Sequence, residues 1–102
     1  MIHVIATVDL LPGERDAFLA EFRKLIPAVL AEAGCVEYVP TIDAQTDLPN
    51  HARMGADRVV IIEKWETLAH LKAHAVAPHM QAYRPKVKDF VKSMELRVLS
   101  PT

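Results

Sequence analysis

The sequence predicts an α+β fold, a ferredoxin-like split βαβ with a four-stranded antiparallel sheet, and three observations lead there. Four segments carry strand patterns, two segments carry helical spacing, and their order along the chain is β-α-β-β-α-β. With 102 residues, the chain reads as one domain spanning 1–102, able to bury about two-thirds of its unfolded surface.

The first strand follows from alternation: Ile2, Val4, Ala6, Val8 and Leu10 share one face, and His3, Ile5, Thr7 and Asp9 the other. Pro12 and Gly13 turn the chain into a helix from Glu14 to Ala33, with Phe18, Phe22, Leu25, Ile26, Val29 and Leu30 on its apolar stripe. Pro27 is expected to kink that helix without dividing it, and Gly34 to follow its end. Cys35 to Ile42 reads as a second strand, with Val36, Tyr38 and Ile42 on one face and Cys35, Glu37, Val39 and Thr41 on the other. Pro40 lacks an amide hydrogen and argues for a sheet edge. The polar stretch 43–57 is a long loop with His51 and Arg53 near its tip.

Val59, Val60, Ile61 and Ile62 mark the third strand, Arg58 to Trp65, in which Glu63 and Trp65 face one side and Lys64 the other. Thr67 is the expected N-cap of a short helix ending near Ala75, with Leu68, Leu71 and Ala75 on its stripe. Pro78 forces Ala77 out of the α region, so a new helix should start near His79. Its stripe is read through Met80, Tyr83, Val87, Phe90 and Val91, kinked at Pro85. Met94, Leu96 and Val98 alternate with Glu95, Arg97 and Leu99 in the last strand. Helices from two segments cover one sheet face only, yet the third strand is apolar on both faces and Ile5 adds to the uncovered one. A second copy of the chain is the simplest cover.

Composition excludes several classes. The net charge of −1, from 12 basic and 13 acidic residues well mixed along the chain, gives no electrostatic footprint for nucleic acid or a membrane surface. Cys35 is the only cysteine, which excludes an internal disulfide and suits a reducing compartment. The opening MIHVIATVDL alternates as a strand does and contains Asp9, so it is not expected to be a signal peptide, and a cytoplasmic protein is the default expectation. The glycines are isolated, so no phosphate-cradling loop exists, and neither GxSxG nor HExxH occurs.

Chemistry concentrates between Glu63 and Tyr83, which holds the tryptophan, one tyrosine and His70, His74 and His79 of the five histidines. His74 lies beside Leu71 at the edge of an apolar stripe, where it is either a base facing a pocket or a packing histidine. His79, just after Pro78, would be held neutral at a helix N-terminus, or simply cap it. The break at Pro78 should bring the two to one corner. Glu63 is costly to bury alone and must be partnered or polarise a pocket group. Trp65 walls an aromatic pocket or fills the core, and Tyr38 and Tyr83 orient a substrate hydroxyl or pack. His70 and His74 have a chelating spacing but no carboxylate or cysteine beside them in sequence, so no metal is expected.

The segment GCVEY at Gly34 to Tyr38, the pair Glu63 and Trp65, and the run from His74 to His79 with Pro78 resemble the antibiotic biosynthesis monooxygenase family, in its small quinol-monooxygenase-like members. The resemblance implies a dimeric α+β barrel of two sheets packed face to face. It also implies oxidation of quinols or related polycyclic aromatics by molecular oxygen without flavin, haem or metal. Haem-degrading members would want an axial histidine where this chain has Arg84. The catalytic candidates are then His74, His79 and Glu63, and the substrate-binding candidates Trp65, Tyr38, Tyr83, Met80 and His51. The partners expected are a small aromatic substrate, oxygen and a second copy, with no nucleic acid, membrane or cofactor. Two other readings stand beside this one: an isomerase of a phosphorylated or keto sugar using Arg53, Arg84 and Lys86, and a dimeric ligand-binding module without turnover.

Overall fold

The computed structural model describes residues 1–102. The elements run β1 (Ile2–Leu10), α1 (Arg15–Leu30), β2 (Cys35–Thr41), β3 (Arg58–Trp65), α2 (Leu68–Ala75), α3 (Pro78–Val87) and β4 (Val91–Leu99). The antiparallel sheet has the order β2-β3-β1-β4, so the two most apolar strands are central and Pro40 lies on an edge. The α+β, ferredoxin-like architecture is therefore as expected, with the second helical segment divided in two at Pro78.

All three helices lie on one face. Val4, Ala6, Val8 and Leu10 of β1 and Val59, Ile61 and Trp65 of β3 are buried there, against Phe18, Leu19, Phe22, Leu25 and Val29 of α1. The opposite face has no helix. On it the register aligns Val39, Ile62 and Ile5 in one apolar row across three strands. Ile61 belongs to the core and Ile5 to this open face.

Several local readings are corrected. Helix α1 stops at Leu30, short of Ala33, and Pro27 lies within it. A bulge at Val36 puts two residues of β2 opposite one of β3, so Cys35 sits opposite Trp65 and packs on the core with Tyr38, against simple alternation. Ile42 falls outside β2 and is exposed. Helix α3 ends at Val87; Phe90 packs on the core from the turn, and Val91 already belongs to β4. Three residues of turn suffice because Leu11 N–H donates to the Phe90 carbonyl, anchoring it to the end of β1.

Gly34 lies in the turn entering β2, beyond the cap of α1, with φ +80°. A Cβ there would meet His70 Cγ at 2.2 Å, so the glycine serves both the left-handed backbone and the close approach of α2. Gly34→Ala is expected to cost about 2–4 kcal/mol, from left-handed strain plus overpacking. Urea denaturation of the variant checks this; an unchanged midpoint would refute the packing argument.

Candidate active site

Thr67 caps α2, its Oγ1 accepting the His70 N–H at 3.2 Å, which starts the helix where it delivers Leu71 and His74 to its buried side. Ala77 is extended and Pro78 opens α3, so the chain turns sharply between His74 and His79. Both imidazoles reach the same atom. His74 Nδ1 and His79 Nε2 each lie 2.8 Å from Glu32 Oε2, in the turn after α1. An ionised carboxylate only accepts, so both facing ring nitrogens carry protons. In the tautomer with that proton on Nδ1, a neutral His74 would carry its lone pair on Nε2, which makes no hydrogen bond within the chain.

His74 lines a cavity of about 930 Å³ between the helices and the sheet. Its floor is Ala6, Val8 and Ile61, and Phe18, Phe22, Leu71, Met80 and Val87 supply apolar walls. Tyr38, Glu63 and Tyr83 are the polar groups deep in the wall, while Lys72, Arg84 and Lys88 stand at exposed positions. Met94 and Leu96 of β4 form the remaining side, exposed by 60% and 51% in the single chain. Aromatic rings back the histidine: Trp65 at 4.7 Å and Tyr38 at 5.5 Å between ring centroids, with Phe22 stacked on Tyr38 at 5.2 Å. A mostly apolar concavity with a few convergent polar groups is the usual form of a small-molecule site.

A family model described as antibiotic biosynthesis monooxygenase matches residues 1–86. The chain belongs to the antibiotic biosynthesis monooxygenase family. It is 43% identical to the probable quinol monooxygenase YgiN of Escherichia coli (strain K12), over 99% of this chain and 98% of YgiN. Among solved structures, PA3566 from Pseudomonas aeruginosa superposes with a TM-score of 0.81 at 25% identity, over 99% of this chain and 93% of that one. Rv0793 from Mycobacterium tuberculosis gives 0.80 at 25% identity, over 99% and 94%. No helix of this family member is long and apolar enough to cross a membrane.

Within this monooxygenase-family site the candidate residues separate. His74, Glu63, Tyr38, Tyr83 and Met80 line the cavity. Trp65 does not: it is fully buried, against the His74 ring, with its Nε1–H donating to Glu63 Oε1 at 3.0 Å. The expected aromatic wall is therefore supplied by the phenylalanines and tyrosines. His79 borders a different, smaller cavity between α1 and α3. His51 lines neither; it sits in the 43–57 loop 3.9 Å from Asp43, whose carboxylate accepts the Met54 and Gly55 N–H groups and ties the loop to itself. His70 is turned to Thr67 Oγ1 at 2.8 Å and makes no chelate with His74. Of Arg53, Arg84 and Lys86, only Arg84 borders the large cavity, so the three do not converge on one anion.

Glu32 escaped the sequence reading because it is 42 residues from His74. One signal was available. An acid just past the carbonyl end of α1, with no basic residue in the helix's last turn, is misplaced relative to the helix dipole and needs a cationic or N–H partner from elsewhere.

Burial pushes the Glu63 carboxyl up from its ordinary 4.5, opposed by the Trp65 hydrogen bond and the nearby His74. The same burial raises Tyr38 and Tyr83, which stay neutral donors facing the cavity. A raised folded value means that Glu63 favours folding below pH 4.5 and that this contribution is lost as pH rises through the folded value. Glu63→Gln keeps an oxygen for the Trp65 N–H. It is expected to remove that loss, so the variant gains stability over the parent between mildly acidic and neutral pH. Thermal melts of both proteins across this window test the sign; a parent equally stable throughout contradicts it.

Proposed function

We propose that this protein is a cofactor-independent monooxygenase that oxidises a quinol or related polycyclic aromatic with molecular oxygen, as a homodimer in the cytoplasm. The observation that carries this reading is His74, lodged between Trp65 and Tyr38 with Nδ1–H on Glu32 and Nε2 free, lining a cavity large enough for a fused aromatic. The name of YgiN, related along nearly its whole length, supports the quinol class.

His74 Nε2 takes the phenolic proton, and Glu32 stabilises the imidazolium that results. The phenolate gives one electron to oxygen, leaving an aryloxyl radical and superoxide, which join at a ring carbon. The peroxide is protonated from His74. Loss of that carbon's proton with cleavage of the O–O bond releases water and leaves a quinone carbonyl, so one oxygen atom enters the product and the other the water. The chain supplies deprotonation, an apolar cavity that favours electron transfer from the aromatic anion, and orientation by the Tyr38 and Tyr83 hydroxyls.

Oxygen uptake by chelator-treated protein against a panel of quinols tests the proposal. Uptake above autoxidation with at least one quinol, stoichiometric with quinone, is expected; a broad panel giving only autoxidation rates would overturn it.

A further inference from the structure

The carboxylate missing beside the histidines in sequence is supplied by the fold. Glu32 Oε2, His74 Nδ1 and His79 Nε2 come from three separate parts of the chain and lie within 4.8 Å of one another. Their side chains are 13%, 7% and 28% exposed, so the group is sheltered yet reachable from the His79 side. That side opens on the cavity of about 170 Å³ between α1 and α3, which Glu21 also lines. We propose that Glu32, His74 and His79 form a binding site for a zinc-type divalent cation, and that its occupancy turns off the base that faces the substrate cavity.

Three arguments support the site. Two imidazoles and a carboxylate match the donor preference of Zn²⁺, Co²⁺, Ni²⁺ and Cu²⁺, whereas Mg²⁺ and Ca²⁺ prefer oxygen alone. With ligand bonds of about 2.0–2.2 Å, adjacent donors in a zinc site stand about 3.0–3.5 Å apart. The two 2.8 Å contacts to Glu32 reach that spacing with shifts of a few tenths of an ångström. The imidazole nitrogens, within 4.8 Å of each other, close to it by rotation of the part-exposed His79 side chain. A cation would also compensate the Glu32 charge at the carbonyl end of α1.

The consequence for chemistry rests on the monooxygenase reading. A neutral imidazole has one proton. When the ion takes Nδ1 of His74, that proton moves to Nε2, and this nitrogen of the cavity-lining ring changes from acceptor to donor. No bond to substrate is altered; the acceptor for the phenolic proton is lost. The ion would thus be a reversible inhibitor, and chelation would restore the base.

Zn²⁺ titrated into chelator-treated protein, in competition with a chromophoric chelator, tests the site. One equivalent per chain is expected, displaced by neither Mg²⁺ nor Ca²⁺, with Glu32→Gln and His79→Ala each weakening binding at least tenfold. Variants that bind as the parent does would overturn it. If either variant fails to fold, one equivalent of Co²⁺ in the parent decides: paramagnetically shifted proton signals from two imidazoles are expected, and fewer than two refute the site. Quinol-dependent oxygen uptake should fall in proportion to Zn²⁺ occupancy and recover with chelator. Unchanged uptake at full occupancy overturns the switch. A parent with no uptake defeats the base reading and the switch together, while the site stands or falls on the isotherms.

Discussion

Replacing His74 with alanine is expected to lower quinol-dependent oxygen uptake about 10²–10⁴-fold, the range contributed by a positioned general base. The effect should fall on kcat more than on KM, because the cavity walls are built by other residues and only the proton acceptor is lost. Alanine also leaves Glu32 with a single donor, His79 Nε2, so some loss of stability accompanies the change. Two observations separate base from scaffold. A substrate supplied already as the phenolate at high pH should recover part of the lost rate, and Glu32→Gln should lower the parent rate less than His74→Ala does, since it removes only the charge that orients the ring. A His74→Ala enzyme that consumes oxygen at the parent rate would remove His74 from the chemistry.

Placing a lysine at Ile5 is expected to dissociate the proposed dimer and leave an aggregating or unfolded chain. Ile5 lies in the apolar row with Ile62 and Val39 on the face that no helix covers. Specific interfaces bury about 800 Å² per partner, and a symmetric one meets every substitution twice. A penalty of about 2 kcal/mol per subunit for an unpaired interfacial charge would therefore weaken association about a thousandfold. Ile62→Lys should behave alike, whereas Lys64→Ala, on the same face but already half-exposed beside Glu37, should change association little. Light scattering at micromolar concentration is the measurement. A parent that runs as a compact 11.4 kDa monomer would refute the interface.

The open cavity would give the proposed dimer a second role. Met94, Leu96 and Val98 of β4 lie on the helix side of the sheet, opposite Val8, Ala6 and Val4, but the helices do not reach them. That side is opposite the Ile5 row, so only a partner segment reaching around the β4 edge would exclude water from the cavity. In that case the dissociated Ile5→Lys chain should lose uptake as well as assembly.

By itself the sequence determined the order of strands and helices, the edge position of Pro40, the cap at Thr67, the break at Pro78 and the shared strand face of Glu63 and Trp65. Each rests on neighbours a few residues apart, where periodicity, a missing amide hydrogen or a short polar side chain decides the outcome locally. Tertiary structure alone decided the rest. It brought Glu32 to His74 across 42 residues, put Trp65 behind the histidine instead of in the cavity wall, kept His51 in its own loop, and used a bulge at Val36 to turn Cys35 inward. These depend on how one element docks on another, and the energy of that docking comes from apolar area that many arrangements of the same pattern could bury.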